Sequence, residues 1–153
     1  MIQAGAPEVF WGLARLYALE VYLSMPGRRA SRYKGYTCSP RHAFTGAPES
    51  LAHIYPFGCL TFVLNEEATI SMRHLQTHGT AGVLVGCCRV DGVDGYKIWV
   101  PTENALRISR NVRAHQSVFP LLQGDIIWDP QTNRGRWKLP LYGSLPSYNH
   151  GIQ

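Results

Sequence analysis

Between residues 57 and 113 the chain is cut into short apolar stretches, each bounded by Gly, Pro, Asn or Asp. Residues 57–64 and 81–86 read as two strands, and residues 96–100 as a third with Tyr96, Ile98 and Val100 on one face. Asp91-Gly92-Val93-Asp94-Gly95 is turn chemistry, and Pro101-Thr102-Glu103-Asn104 turns the chain again. A fourth strand is expected over 105–113, where Leu106, Ile108 and Val112 alternate with Arg107, Ser109 and Asn111. Short strands joined by such turns predict a small barrel rather than a parallel sheet. Residues 125–128 read as one further strand, and 129–153 as loop or tail.

The flanks read differently. Pro7 followed by Glu8 opens a helix expected to run to Ser24 and to stop at Pro26-Gly27. Phe10, Leu13, Tyr17 and Val21 line one of its faces, and Val9, Leu16, Leu19 and Leu23 another, so it asks to be covered on most sides. Residues 27–36 read as a basic linker carrying Arg28, Arg29, Arg32 and Lys34 and no acid. Ser39 as N-cap and Pro40 at the first helical position start a short helix through Phe44, ended by Gly46. The chain therefore divides into a terminal helix plus linker (1–36), a helical connector (37–55), a barrel (56–116) and a tail (117–153). On this division the first helix is an appendage, and removing residues 1–36 leaves the barrel folded and more soluble.

At 153 residues, with 45% apolar and 16% charged residues, the chain can fill one core and is not a disordered polyelectrolyte. Its formal charge is +5, carried by twelve Arg and three Lys against ten acids. Guanidinium pairs well with phosphate, so the balance favours polyanionic partners. Cys38, Cys59, Cys87 and Cys88 form no CxxC pair, which suits a reducing, intracellular setting. The apolar stretch 9–23 is broken by Arg15 and Glu20 and is too short to span a bilayer, so no membrane partner is expected.

Five blocks, in order, carry a family resemblance. They are Gly5-Ala6-Pro7 through Phe10-Trp11 to Ala18 and Tyr22-Leu23; Ser39-Pro40 to Ala43-Phe44-Thr45-Gly46 and Pro48; and Phe57-Gly58-Cys59. The fourth is Gly79 with Gly82-Val83-Leu84-Val85-Gly86. The fifth is Gly95-Tyr96-Lys97-Ile98-Trp99 followed by Ile108-Ser109-Arg110-Asn111-Val112. Together they resemble copia-type retrotransposon Pol polyproteins in the region after the integrase catalytic core. The resemblance implies a mainly β fold: an SH3-like barrel between integrase core and reverse transcriptase, preceded by an orphan helix from that core. The chain departs from the family pattern at His42, His74, Cys87 and Asn111, and again at Ala114, His115 and Gln116.

Integrase chemistry needs three carboxylates holding two metal ions. The resemblance places those acids upstream of this chain, which implies no catalytic residue, no cofactor and no metal here. Glu8 and Glu20 read as helix-flank charges. His74 and His78 with Cys87 and Cys88 lack the ligand spacing of zinc sites, since adjacent strand cysteines point to opposite faces.

The candidate nucleic-acid residues are Arg89, Lys97, Trp99, Arg107 and Arg113. Lys97 and Trp99 are expected on the strand face opposite Tyr96 and Ile98, and Arg107 and Arg113 together opposite Leu106 and Ile108. Cations beside an aromatic can neutralise phosphates and offer a stacking plane. The plainer reading, to which the commonness of basic stripes gives the edge, is a solvated face with Trp99 packed on the N-terminal helix. Three functions follow. One is weak, non-specific DNA binding, nuclear beside the integrase. The second is assembly with integrase subunits or with the missing integrase core. The third, suggested by the departures and by a reading frame opening at Met1, is a decayed retrotransposon remnant.

Overall fold

The computed structural model describes residues 5–48, 50–64, 79–90 and 93–138, the side chains of residues 33, 64, 89, 90, 93 and 94 excepted. Asp91 and Gly92 of the expected turn, the pair His74 and His78, and residues 139–153 lie outside the described residues, while Val93 to Gly95 of that expected turn belong to a strand.

Five strands, β1 (Leu60–Leu64), β2 (Gly79–Val90), β3 (Val93–Val100), β4 (Ala105–Ser109) and β5 (Val112–His115), form one sheet in the order β4-β3-β2-β1-β5. Every neighbouring pair is antiparallel. The two edge strands are consecutive in the chain and joined only by Arg110 and Asn111, so the sheet curls until its edges approach. The long β2 serves two neighbours, residues 79–83 against β1 and 83–90 against β3. A register shift between Leu84 and Gly86 leaves Val85 as a bulge, which bends the strand at the crossover. The curl encloses Cys59, Val63, Leu84, Tyr96, Ile98 and Val100, with Val112, Ala114 and Phe119 packed at the margin. The mainly β, barrel-like architecture is thus the expected one, and Tyr96, Ile98 and Val100 share its inner face.

The strand expected over 105–113 is two strands. Ser109 Oγ accepts the Asn111 amide at 3.1 Å, a local bond that competes with the ladder. The interruption reverses the alternation. In β4, Arg107 stands opposite Ile98, while Leu106 and Ile108 stand opposite Trp99 and Lys97. In β5, Val112 stands opposite Val63 and Arg113 opposite Phe62. Directly opposed residues point to the same side of a sheet, so Arg107 is on the inner side, at the rim, and Arg113 on the outer side. They do not share a face. Leu106 and Ile108 are more than half exposed on the edge strand instead of buried.

The outer side of the sheet is a second core. Val83, Val85 and Trp99 meet Phe10 and Ile126 there, with Leu13, Phe57, Leu121, Trp128 and Trp137 around them. Phe10 ends a short 3-10 turn (Glu8–Phe10) leading into α1 (Trp11–Ser24). Ile126 comes from a C-terminal hairpin, β6 (Ile126–Asp129) and β7 (Arg134–Trp137), reached through the single turn α4 (Pro120–Gln123). Residues 129–138 are therefore not the expected tail. The Asp129 carboxylate accepts the Gln131 amide at 2.9 Å and the Thr132 hydroxyl at 2.6 Å, which folds the hairpin turn. Arg134-Gly135-Arg136-Trp137 contains no β-branched residue, hence the weak strand signal. Gly135 is required for docking: a Cβ there would come within 2.3 Å of Trp99 Cη2, so the indole lies directly on the hairpin backbone.

Boundaries at 36 and 116 do not separate independent cores, because Phe10 and Ile126, 5% and 6% exposed, complete the barrel's outer one. The segment from Glu8 through the end of α1 buries Phe10 and Tyr17 and leaves Val9, Leu16 and Leu19 about half exposed, so one face is covered rather than most. Tyr17 donates its hydroxyl to the Tyr55 carbonyl, and burial pushes its phenol well above the usual range. Residues 28–34, expected as linker, form α2 (Arg28–Lys34), closed by Gly35 at φ 77° with its amide on the Ser31 carbonyl at 2.8 Å. The short helix α3 (Pro40–Thr45) starts as expected: Ser39 Oγ accepts the His42 amide at 3.0 Å.

Candidate nucleic-acid interface

The five residues singled out from the sequence are not one surface. Arg89 lies in β2 opposite Asp94, and its side chain is outside the described set. Lys97 is half-buried, its alkyl stem lying across the backbone of Gly86. Burial pushes the nearby Cys88 thiol up, and the Lys97 charge pulls it partly back. Arg107 closes a fork on Glu103, Nε to Oε2 at 2.8 Å and Nη2 to Oε1 at 2.5 Å. A phosphate would have to displace that carboxylate, which spans the turn from β3 to β4.

Trp99 is no stacking plane. It is 4% exposed, edge-on to Phe10 at 5.1 Å and to Trp128 at 5.6 Å. The expectation of an exposed indole is corrected: Trp99 packs against the N-terminal segment, as in the plainer alternative, but the side it stands on is core rather than the solvated face that alternative described. Arg113 is exposed, as is Arg110 in the turn preceding β5. Among the described residues neither has a carboxylate within ion-pair distance.

Two basic groups were not among the sequence candidates. Arg134, Arg136 and Lys138 are exposed at alternate positions along and just after β7. Their period of two was visible, but nothing else marked the segment as a strand. Arg28, Arg29, Arg32 and Lys34 are exposed on α2. That run was legible as charge, and what the sequence reading missed was its helical order.

Residues 59–126 match the family model for the retroviral polymerase SH3-like domain. No curated protein and no solved structure matches the chain. The matched stretch begins at Cys59, beside β1, includes all five strands of the curled sheet, and ends at Ile126 in the second core. The chain therefore carries a region similar to the SH3-like domain of retroviral polymerase, a retroelement Pol-related segment in a small barrel-like fold.

Proposed function

We propose that the chain is a non-catalytic segment of a copia-type Pol polyprotein, the barrel-like module that follows the integrase core. In this reading it binds DNA weakly and without sequence preference through backbone phosphates, in the nucleus beside the integrase. The observation that carries it is surface arginine: Arg110 and Arg113 on the barrel and the arginines of α2 are exposed, and among the described residues no carboxylate lies within ion-pair distance of them. Phosphate contacts position a protein without reading sequence, hence the expected lack of preference. Titrating labelled duplex at several salt concentrations tests it. A log–log salt slope of about −3 to −4 is expected, as for three to four neutralised phosphates, with affinity near ~10⁻⁴ to 10⁻⁶ M at physiological salt. Undetectable binding at low salt removes DNA as the partner.

No catalytic role is assigned. Two-metal chemistry needs several carboxylates converging on the ions, and Glu20 is instead held by Arg41 in an ion pair between α1 and α3. The purified chain is expected to show no strand transfer or end processing with magnesium or manganese. Metal-dependent joining that co-purifies with the chain through every step would overturn this part of the proposal.

A second reading, assembly with integrase subunits or the integrase core, is favoured by one feature. Val9 in the 3-10 turn and Trp11, Leu16, Leu19 and Tyr22 on α1 are each more than half exposed, an apolar face of the kind that drives association. Absent DNA binding together with concentration-dependent mass in sedimentation would select it.

A further inference from the structure

The chain's excess charge is not spread over the barrel. Fifteen basic and ten acidic residues leave a formal +5, and Arg28, Arg29, Arg32 and Lys34 contribute four of it within seven residues. No acid occurs from Val21 to Pro48. Arg41, the remaining cation of that stretch, is paired with Glu20.

The segment is ordered, and its order organises the charge. Arg28 and Arg32 lie one helical turn apart with Arg29 beside them, so three guanidiniums project from one side of α2. All three are exposed, whereas Ala30 and Ser31 on the other side are half-buried. Ser31 Oγ accepts the Cys38 amide at 3.0 Å, and the Gly27 amide reaches the Cys38 carbonyl at 3.1 Å. These bonds tie α2 to the start of α3, so the array is presented on a fixed element and loses less freedom on binding than a flexible linker would. Among the described residues no carboxylate lies within ion-pair distance of Arg28, Arg29 or Arg32. On the barrel, Arg107 is occupied by Glu103. Just past the helix, Tyr36 is half exposed with its ring 5.6 Å from that of His42.

We propose that the arginine face of α2, rather than the barrel, is the principal nucleic-acid contact of this chain. Arg28, Arg29 and Arg32 would grip backbone phosphates, and Tyr36 would stand at the edge of the contact. The inference rests on the DNA-binding reading above and names its surface. Arginine in place of lysine favours a phosphate, which the guanidinium fork can engage with two hydrogen bonds. A membrane-surface helix would need an apolar face, and the seven residues of α2, Arg-Arg-Ala-Ser-Arg-Tyr-Lys, supply none of useful width.

The test compares the full chain with one triple and one double variant in the same duplex titration. R28Q/R29Q/R32Q removes the α2 charges, and Gln has nearly the helix propensity of Arg, so the fold survives; circular dichroism and a thermal melt verify it. R110Q/R113Q removes the exposed barrel arginines. The α2 variant is expected to lose at least about tenfold in affinity and to flatten the salt slope by about 2.7, the value for three phosphate contacts, while the barrel variant flattens it by less than about 1. If the barrel variant carries the loss and the α2 variant binds like the parent, the inference is overturned and DNA binding stands. If the parent chain binds no duplex at low salt, the underlying reading fails, and with it the assignment of a surface. Binding to phosphatidylserine vesicles in place of duplex, abolished by the α2 variant, would overturn the choice of nucleic acid as the partner.

Discussion

Trp99→Ala is expected to lower the unfolding free energy by about 3–5 kcal/mol, as for other buried aromatic truncations. The indole is 4% exposed, and three separate elements pack on it: Phe10 from the N-terminal segment, Trp128 from β6, and the backbone of Gly135 in β7. Its removal leaves a cavity that a glycine cannot fill. Domains of this size are stable by only about 5–15 kcal/mol, so the variant will be marginal in urea denaturation followed by circular dichroism. A folded variant separates stability from binding. Trp99→Phe keeps an aromatic ring in the core and is expected to bind single strands as the parent does. Selective loss of single-strand affinity in Trp99→Phe, with stability unchanged, would mean that nucleic acid reaches the indole after all.

Removing residues 1–36 is expected to destabilise the barrel, not to release it. The deletion takes away Phe10, Leu13 and Tyr17 and opens Val83, Val85 and Trp99 to water on the outer side of the sheet. It also strips the Tyr55 carbonyl of its Tyr17 hydroxyl donor. Phe10→Ala alone is expected to cost about 3–5 kcal/mol, and the whole deletion more, because the exposed patch also promotes aggregation. Comparing urea midpoints of the full chain, Phe10→Ala and the truncated chain decides it. A truncated chain that is monomeric and as stable as the parent would show that the outer core closes without α1.

Much of the fold was legible because its signals are local. Strands β1, β2 and β3 announced themselves by period-two or continuous apolar runs between turn residues. The start of α3 was written in Ser39-Pro40, where the cap bond to His42 needs only residues three positions apart. The charge of α2 was equally plain in the sequence. Its helical order depended on the bonds from Ser31 and Gly27 to Cys38, which lie beyond the run itself.

What the tertiary structure alone decided was which surfaces meet water. Alternation put Lys97 and Trp99 on the side opposite Tyr96 and Ile98, and that placement is correct. Period two says which side chains share a side of a sheet, and it cannot say whether that side is solvated, because burial is set by whatever packs there from elsewhere in the chain. Phe10, some 90 residues upstream of Trp99, and Gly135, well downstream of it, cover that side. The interruption at Arg110-Asn111, where Ser109 Oγ accepts the Asn111 amide, likewise sets Val112 and Arg113 in the opposite phase to Arg107, which no pattern across 105–113 could register. The sequence by itself determined β1 to β3, the cap of α3 and the sign of the charge. The tertiary packing determined that both faces of the sheet carry core, and so left the exposed cations on helices, a turn, an edge strand and a hairpin.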